Sequence, residues 1–296
     1  MANEPLVTFK SFTGINNVDN PWELKPNALQ TATNVDVNGS GRLKRRVGTD
    51  RVITGSFHSM FSTEWIWLAV KDGDLVMVNA DLTLETLRSD VGDAEMSYAV
   101  ANDTVGYTNG EVVGYVRNEA SYLFADPTDE FKLPIVPGDL IEYFNNRFFI
   151  STGNVILWTD VLSQRFGAID KRKNGRQLPS KVLLMKGVDD GLYISDEQEI
   201  YFAQGADPYE MVIRSVLNYP AISGMVCEVD IKLLPFQGVS GKCLAIGTRN
   251  GVCIAMNSGN IVNVTEKYYA MPDVQKGAML FKQQNNMSQV ITSITY

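Results

Sequence analysis

Few side chains in this sequence have types and spacings that could do chemistry. The one histidine is His58, and the three cysteines are Cys227, Cys243 and Cys253. A lone histidine cannot build a His-rich zinc site, and the cysteines lack the C-x-x-C spacing of a thiolate site. His58 sits in Phe57-His58-Ser59-Met60-Phe61, a run that reads as a strand, so a packed histidine is expected rather than a general base. Asp36-Val37-Asn38-Gly39-Ser40-Gly41 begins like a calcium loop, but position 12, which should supply a bidentate Glu, is Val47. Asn, Ser and Gly are also what a tight turn requires, and both readings of this segment stay open. Gly238-Val239-Ser240-Gly241-Lys242-Cys243 lacks the spacing and terminal hydroxyl of a phosphate-binding loop. No G-x-S-x-G elbow, H-E-x-x-H or dinucleotide fingerprint occurs. No catalytic residue, cofactor or metal is therefore expected, and the chain reads as a non-enzyme.

The elements that would carry any other function follow from turn chemistry. Short β-type runs such as Trp65–Val70, Arg147–Ile150 and Gly191–Ile194 alternate with turn residues, which predicts an all-β chain. The clearest helical signal is Pro26-Asn27-Ala28-Leu29-Gln30-Thr31-Ala32, with Pro near a helix start. Tight turns are expected at Asp72-Gly73, Asn109-Gly110, Thr152-Gly153, Glu197-Gln198 and Asn250-Gly251. Their intervals of 37, 43, 45 and 53 residues approximate the period of a four-stranded propeller blade. Each turn has two strands upstream and one downstream before a looser turn, so five complete units are predicted. The ends supply two strands each, at 32–38 and 42–47 and at 278–284 and 288–296. Together they would form a sixth blade shared by both termini, a closure that removes exposed edges. The expectation is a six-bladed β-propeller over 32–296, with five or seven blades as alternatives, preceded by an arm with a short helix at 1–31. A two-residue turn at Asn250-Gly251 would set Cys243 opposite Ser258 and Cys253 opposite Thr248, on opposite faces of the sheet, so free thiols are expected.

The balance of 26 Lys+Arg against 34 Asp+Glu gives a net charge of -8. Phosphate binding rests on cations, so an acidic chain is a poor candidate for wrapping nucleic acid or lying on an anionic membrane. The longest apolar run, Trp65–Val70, is far short of the ~20 residues of a spanning helix. Residues 1–20 carry no apolar targeting core, and a soluble protein of a reducing compartment is expected. The charge is uneven. Arg42, Lys44, Arg45 and Arg46 cluster after the N-terminal hairpin turn, and Lys171, Arg172, Lys173 and Arg176 form a second basic loop. Residues 89–142 hold 11 acidic side chains against Arg117 and Lys132, a net charge of -9. One face suited to docking a neighbour is expected, with Arg42, Lys44, Arg45 and Arg46 as its candidate residues.

One stretch carries a family resemblance. Phe12-Thr13-Gly14-Ile15-Asn16-Asn17 is followed by Pro21, Leu24 and Pro26, then by Ala32-Thr33-Asn34-Val35-Asp36-Val37 and by Ser40-Gly41-Arg42-Leu43-Lys44-Arg45-Arg46-Val47-Gly48-Thr49. This resembles the opening of bacteriophage virion proteins, in particular tail nozzle, tail-tubular and packaged-DNA stabilisation proteins. Ile156–Asp160, Pro179–Lys181 and Val188–Tyr193 resemble the same group. Several nozzle proteins add platform and tip domains, whereas these 296 residues match the length of the propeller part. The resemblance implies a structural protein of the virion tail, made in the host bacterial cytoplasm. It implies a homo-oligomeric ring, a hexamer as the first guess, around the DNA channel, which retains and then ejects DNA without binding it specifically. The implied partners are other virion proteins: the portal or adaptor, and a tail fibre or spike. The alternatives are a peripheral propeller for fibre attachment or receptor binding, and a hydrolase of host glycan. The latter needs two carboxylates ~5–9.5 Å apart, which no motif singles out.

Overall fold

Apolar strands punctuated by Asn, Asp and Gly turns fold into a series of four-stranded antiparallel meanders, seen in a computed structural model. The structure describes residues 11–38, 40–46, 48, 50–124, 132–161, 169–170, 174–230, 232, 240–271, 273–284 and 287–295. No α-helix occurs among them. The chain divides into two compact units, one of Met1–Asp50, Ile222–Met256 and Ile261–Tyr296, the other of Arg51–Ala221 and Asn257–Asn260.

The chain begins with two small ribbons. Strands β1 (Gly14–Ile15) and β2 (Ala28–Leu29) pair in parallel, and β3 (Val35–Val37) and β4 (Leu43–Arg45) form an antiparallel two-stranded sheet. The helix expected over 26–32 is absent. The amide of Ala28 bonds back to the carbonyl of Lys25 in a turn, and Ala28 and Leu29 then pair with Gly14 and Ile15. One turn of Pro-Asn-Ala-Leu has no apolar stripe long enough to outweigh that pairing.

The larger unit contains four blades. Blade one is β5 (Phe57–Ser62), β6 (Trp67–Lys71), β7 (Asp74–Val78) and β8 (Leu84–Arg88), and blade two is β9 (Ser97–Ala101), β10 (Thr104–Thr108), β11 (Val113–Arg117) and β12 (Ala120–Tyr122). A two-stranded ribbon, β13 (Lys132–Leu133) with β17 (Ile169–Asp170), accompanies blade three, which is β14 (Leu140–Phe144), β15 (Arg147–Thr152), β16 (Val155–Trp158) and β18 (Gly175–Gln177). Blade four is β19 (Leu184–Val188), β20 (Gly191–Ser195), β21 (Ile200–Gln204) and β22 (Val212–Leu217). The second strand of each blade is buried on both faces, which is why β10 and β20 are buried throughout. Outer strands such as β22 are largely exposed. Period-two alternation assigns neighbouring residues to different layers. Phe148 and Ile150 pack with Ala99, Ala101 and Ile141, whereas Phe149 packs with Trp158, Met185, Leu192 and Ile194.

The smaller unit holds the fifth blade: β23 (Ala221–Val229), β24 (Cys243–Thr248), β25 (Gly251–Ala255) and β26 (Ile261–Asn263). Two further strands, β27 (Lys276–Gln284) and β28 (Met287–Thr295), extend it into a six-stranded sheet of order β26-β25-β24-β23-β27-β28. Among the described residues the blade count is therefore five, the lower alternative, and no blade is shared by the two termini. β27 joins β23 in parallel at Ser223 and Lys276. Its face carrying Met279 and Phe281, with Val290 of β28, packs on Val229, Cys243, Ala245, Ile254 and Met256. The β3–β4 ribbon has strands of only three residues, paired with each other.

Every anticipated tight turn falls between the second and third strands of its blade, but most of the registers differ from expectation. Asp72-Gly73 is the two-residue turn expected. The loop of blade three is Gly153-Asn154 and that of blade five is Arg249-Asn250, each displaced by one residue. Blades two and four use four-residue loops, Asn109–Val112 and Asp196–Glu199. The blade-five register sets Cys253 opposite Ile246, not Thr248. Cys243 and Cys253 still lie on opposite faces, and all three cysteines are free thiols.

Candidate functional site

The four candidate docking cations lie on or beside the β3–β4 ribbon. Asn38 shapes its turn: the side-chain Oδ1 accepts the amides of Ser40 at 3.0 Å and Arg42 at 2.9 Å. The turn is tied to the preceding arm, where the Phe12 amide donates to the Gly41 carbonyl at 2.7 Å. Pairing then sets Lys44 opposite Asp36 and Arg45 opposite Val35. Leu43, Lys44, Arg45 and Arg46 are all exposed. Arg46 holds Asp36 through Nη2 at 2.9 Å and Nε at 3.1 Å. Among the described residues Arg42, Lys44 and Arg45 form no ion pair. Three exposed cations thus lie on or beside a sheet that has two strands among the described residues.

The other residues of the calcium-like segment have partners of their own. Asp36 is committed to Arg46, Asn38 to the turn amides, and Gly39 and Val47 lie outside the described residues. No group of three or more His, Cys, Asp or Glu able to hold a metal occurs among the described residues. His58 pairs with Val70 across the sheet, and its Nδ1 shares a hydrogen bond of 2.8 Å with Ser59 Oγ. Among the described residues no carboxylate orients the ring.

The arm around the motif at 12–17 is held by polar contacts that sequence reasoning did not anticipate. Asn16 is buried, and its Oδ1 accepts the amides of Val18 and Asp19. Asn17 exchanges bonds with the distant loop between β26 and β27: its Nδ2 donates to the Ala270 carbonyl at 3.0 Å, its Oδ1 accepts the Ala270 amide at 2.9 Å, and its amide donates to the Tyr268 carbonyl. Two adjacent asparagines after Gly-Ile were the available signal, but nothing local names a partner over 250 positions away.

Charge follows the division of the chain. The unit that carries the ribbon has 12 Lys+Arg against 9 Asp+Glu, a net charge of +3, and the four-blade unit has 14 against 25, a net charge of -11. Within the acidic stretch Asp103 pairs with Arg117 at 2.6 Å, which holds its carboxyl below the usual range, and Asp139 faces Lys181 at 3.8 Å. Glu142 is buried, and its Oε2 accepts from Lys186 Nζ at 2.7 Å. Asp90, Asp93, Glu95, Glu111 and Glu119 lie in the loops and turns that flank the strands of blade two. Asp126, Asp129 and Glu130 lie outside the described residues, as do Lys171, Arg172 and Lys173 of the second basic loop; Arg176 donates to the Met211 carbonyl.

No protein-family model and no curated protein matches this chain. Among solved structures it is similar to the extracellular domain of the putative one component system BT4673 from B. thetaiotaomicron, at 12% identity and a TM-score of 0.51 over 85% of this chain and 33% of that one. It is also similar to BBS1N in complex with ARL6DN, at 12% identity and a TM-score of 0.51, covering 87% of this chain and 82% of that one. The chain thus spans about a third of the BT4673 chain. At such identities the likeness concerns fold alone, and with the five meanders it makes the chain a β-propeller of five blades.

Proposed function

We propose that this chain is a structural, non-enzymatic component of a bacteriophage virion, a tail nozzle or head–tail connector subunit that forms part of the DNA channel and helps retain and eject the genome. The division of charge carries the reading, with a unit of +3 bearing an exposed basic ribbon and a four-blade unit of -11. An acidic wall repels DNA phosphates and lets the duplex slide, where a basic wall would hold it. Arg42, Lys44, Arg45 and Arg46 are placed to dock an acidic neighbour, a portal or adaptor chain or another subunit of a ring. The resemblance of residues 12–49 supports the virion setting. Cryo-EM of the virion tests the proposal: the expected density is an axial ring at the DNA channel. A chain that stays monomeric by native mass spectrometry and forms no ring with its connector overturns it.

A second reading, a peripheral propeller for fibre attachment or host-receptor binding, is favoured by one observation. The β5–β6 hairpin exposes three large apolar side chains, Met60 at 76%, Trp65 at 48% and Trp67 at 46%. Aromatic and Met side chains of this kind are enriched where proteins meet. Density at the tail periphery selects this reading over the first.

A further inference from the structure

The edges of the sheets are not guarded alike. An edge strand presents unpaired amides and carbonyls, and proteins blunt it by shortness or by charge. The outer strands β12, β18 and β26 are three residues long. The longer ones carry charge, Glu85 and Arg88 on β8 and Arg214 on β22, and β4 carries Lys44 and Arg45. β28 has neither protection. It is the terminal strand of its six-stranded sheet, nine residues long, and Met287-Ser288-Gln289-Val290-Ile291-Thr292-Ser293-Ile294-Thr295 contains no charge and no proline. One face of the β27–β28 hairpin is spent on the fifth blade, through Met279, Phe281, Val290 and Ile294. The other displays the directly opposed pair Leu280 and Ile291, exposed at 58% and 43%.

We infer that β28 is a self-complementary edge that pairs antiparallel with β28 of a second copy, about a two-fold axis at Ile291. Ile291 is the midpoint of the strand, so this register overlaps all nine residues. It sets Ile291 against itself, Val290 against Thr292, Gln289 against Ser293 and Ser288 against Ile294, with no like charges opposed. The exposed Leu280–Ile291 pair then continues into its copy as a row of four aliphatic side chains across the joined sheets. A charged partner strand would gain nothing from an edge without charge, whereas an identical strand meets it over its whole length with Ile291 on Ile291 and no charge opposed. The inference stands apart from the virion reading and holds whether or not that reading does.

Sedimentation equilibrium of the full chain tests it. The wild type is expected to self-associate. Ile291→Lys and Ile291→Glu are each expected to weaken that association at least about tenfold, because the two-fold sets each new charge against its own copy. Mixing the two variants is expected to restore association, since opposite charges then face each other, and restoration also requires that both variants are folded. A wild-type chain that stays monomeric, an Ile291→Lys chain that associates like wild type, or a mixture no more associated than its components each overturns the inference.

Discussion

Glu142 shows how much a single side chain decides in a propeller of small sheets. It sits on β14 of blade three, buried at 4% exposure, with Oε2 on Lys186 of blade four and Oε1 accepting the Gly187 amide at 3.3 Å. Removing the cation alone strands a buried carboxylate, so Lys186→Met is expected to cost about 3 kcal/mol in urea unfolding. Replacing both partners, Glu142→Gln with Lys186→Met, is expected to cost clearly less, because no charge is then left without its counter-charge. Cys227 illustrates the same control by surroundings. Burial, with Glu228 adding to it, pushes its thiol up to about 11, so it stays protonated and unreactive at neutral pH. The residue types were legible in advance: few groups suited to catalysis, and thiols on opposite faces of one hairpin. The Glu142–Lys186 pair was not, because it joins positions 44 apart through the packing of two blades.

At the scale of elements, the junction between β23 and β27 depends on one residue. Gly224 has φ +77° inside a strand, and a Cβ there would lie 2.2 Å from the carbonyl oxygen of Gly277. Gly224→Ala is therefore expected to detach the C-terminal hairpin from the blade, lowering the melting temperature and speeding amide exchange in β27 and β28 while the exchange of β10 and β20 is unchanged. The blade frame itself was readable, since apolar runs and turn residues recur at the blade period. The turn types were readable only where Gly alone decides, as at Asp72-Gly73. In blades two and four an Asx side chain builds a longer loop: Asn109 Oδ1 accepts the amides of Glu111 and Val112, and Asp196 Oδ1 accepts those of Gln198 and Glu199. A search for two-residue turns cannot see these. The missing sixth blade has a similar cause. Two leftover hairpins have the right strand number for a blade, but strand length and packing settle which sheet each joins: the nine-residue C-terminal strands pack on the fifth blade, and the three-residue N-terminal strands pair with each other.

For the whole molecule, the apolar clusters around the C-terminal hairpin are built from the smaller unit's own residues, so damage there is expected to fall first on that unit. Deleting residues 276–296 removes Met279, Phe281, Val290 and Ile294 from the clusters of the smaller unit. Hydrogen exchange is expected to show β24 and β25 losing protection while β10, β15 and β20 keep theirs. The net charge of -8 was legible as a number, and its partition into +3 and -11 was not, because the smaller unit gathers three separate stretches of chain. That gathering has a consequence during synthesis. Asn17 leaves the ribosome 253 residues ahead of Ala270, whose backbone completes its hydrogen bonds. At about 5–20 residues per second, the nascent arm waits roughly 13–50 s for its native contacts, with the cationic ribbon behind it exposed to every acidic surface it meets. The four blades, built from consecutive hairpins, can be folded long before; the unit that gathers stretches from either side of them is the last to be finished.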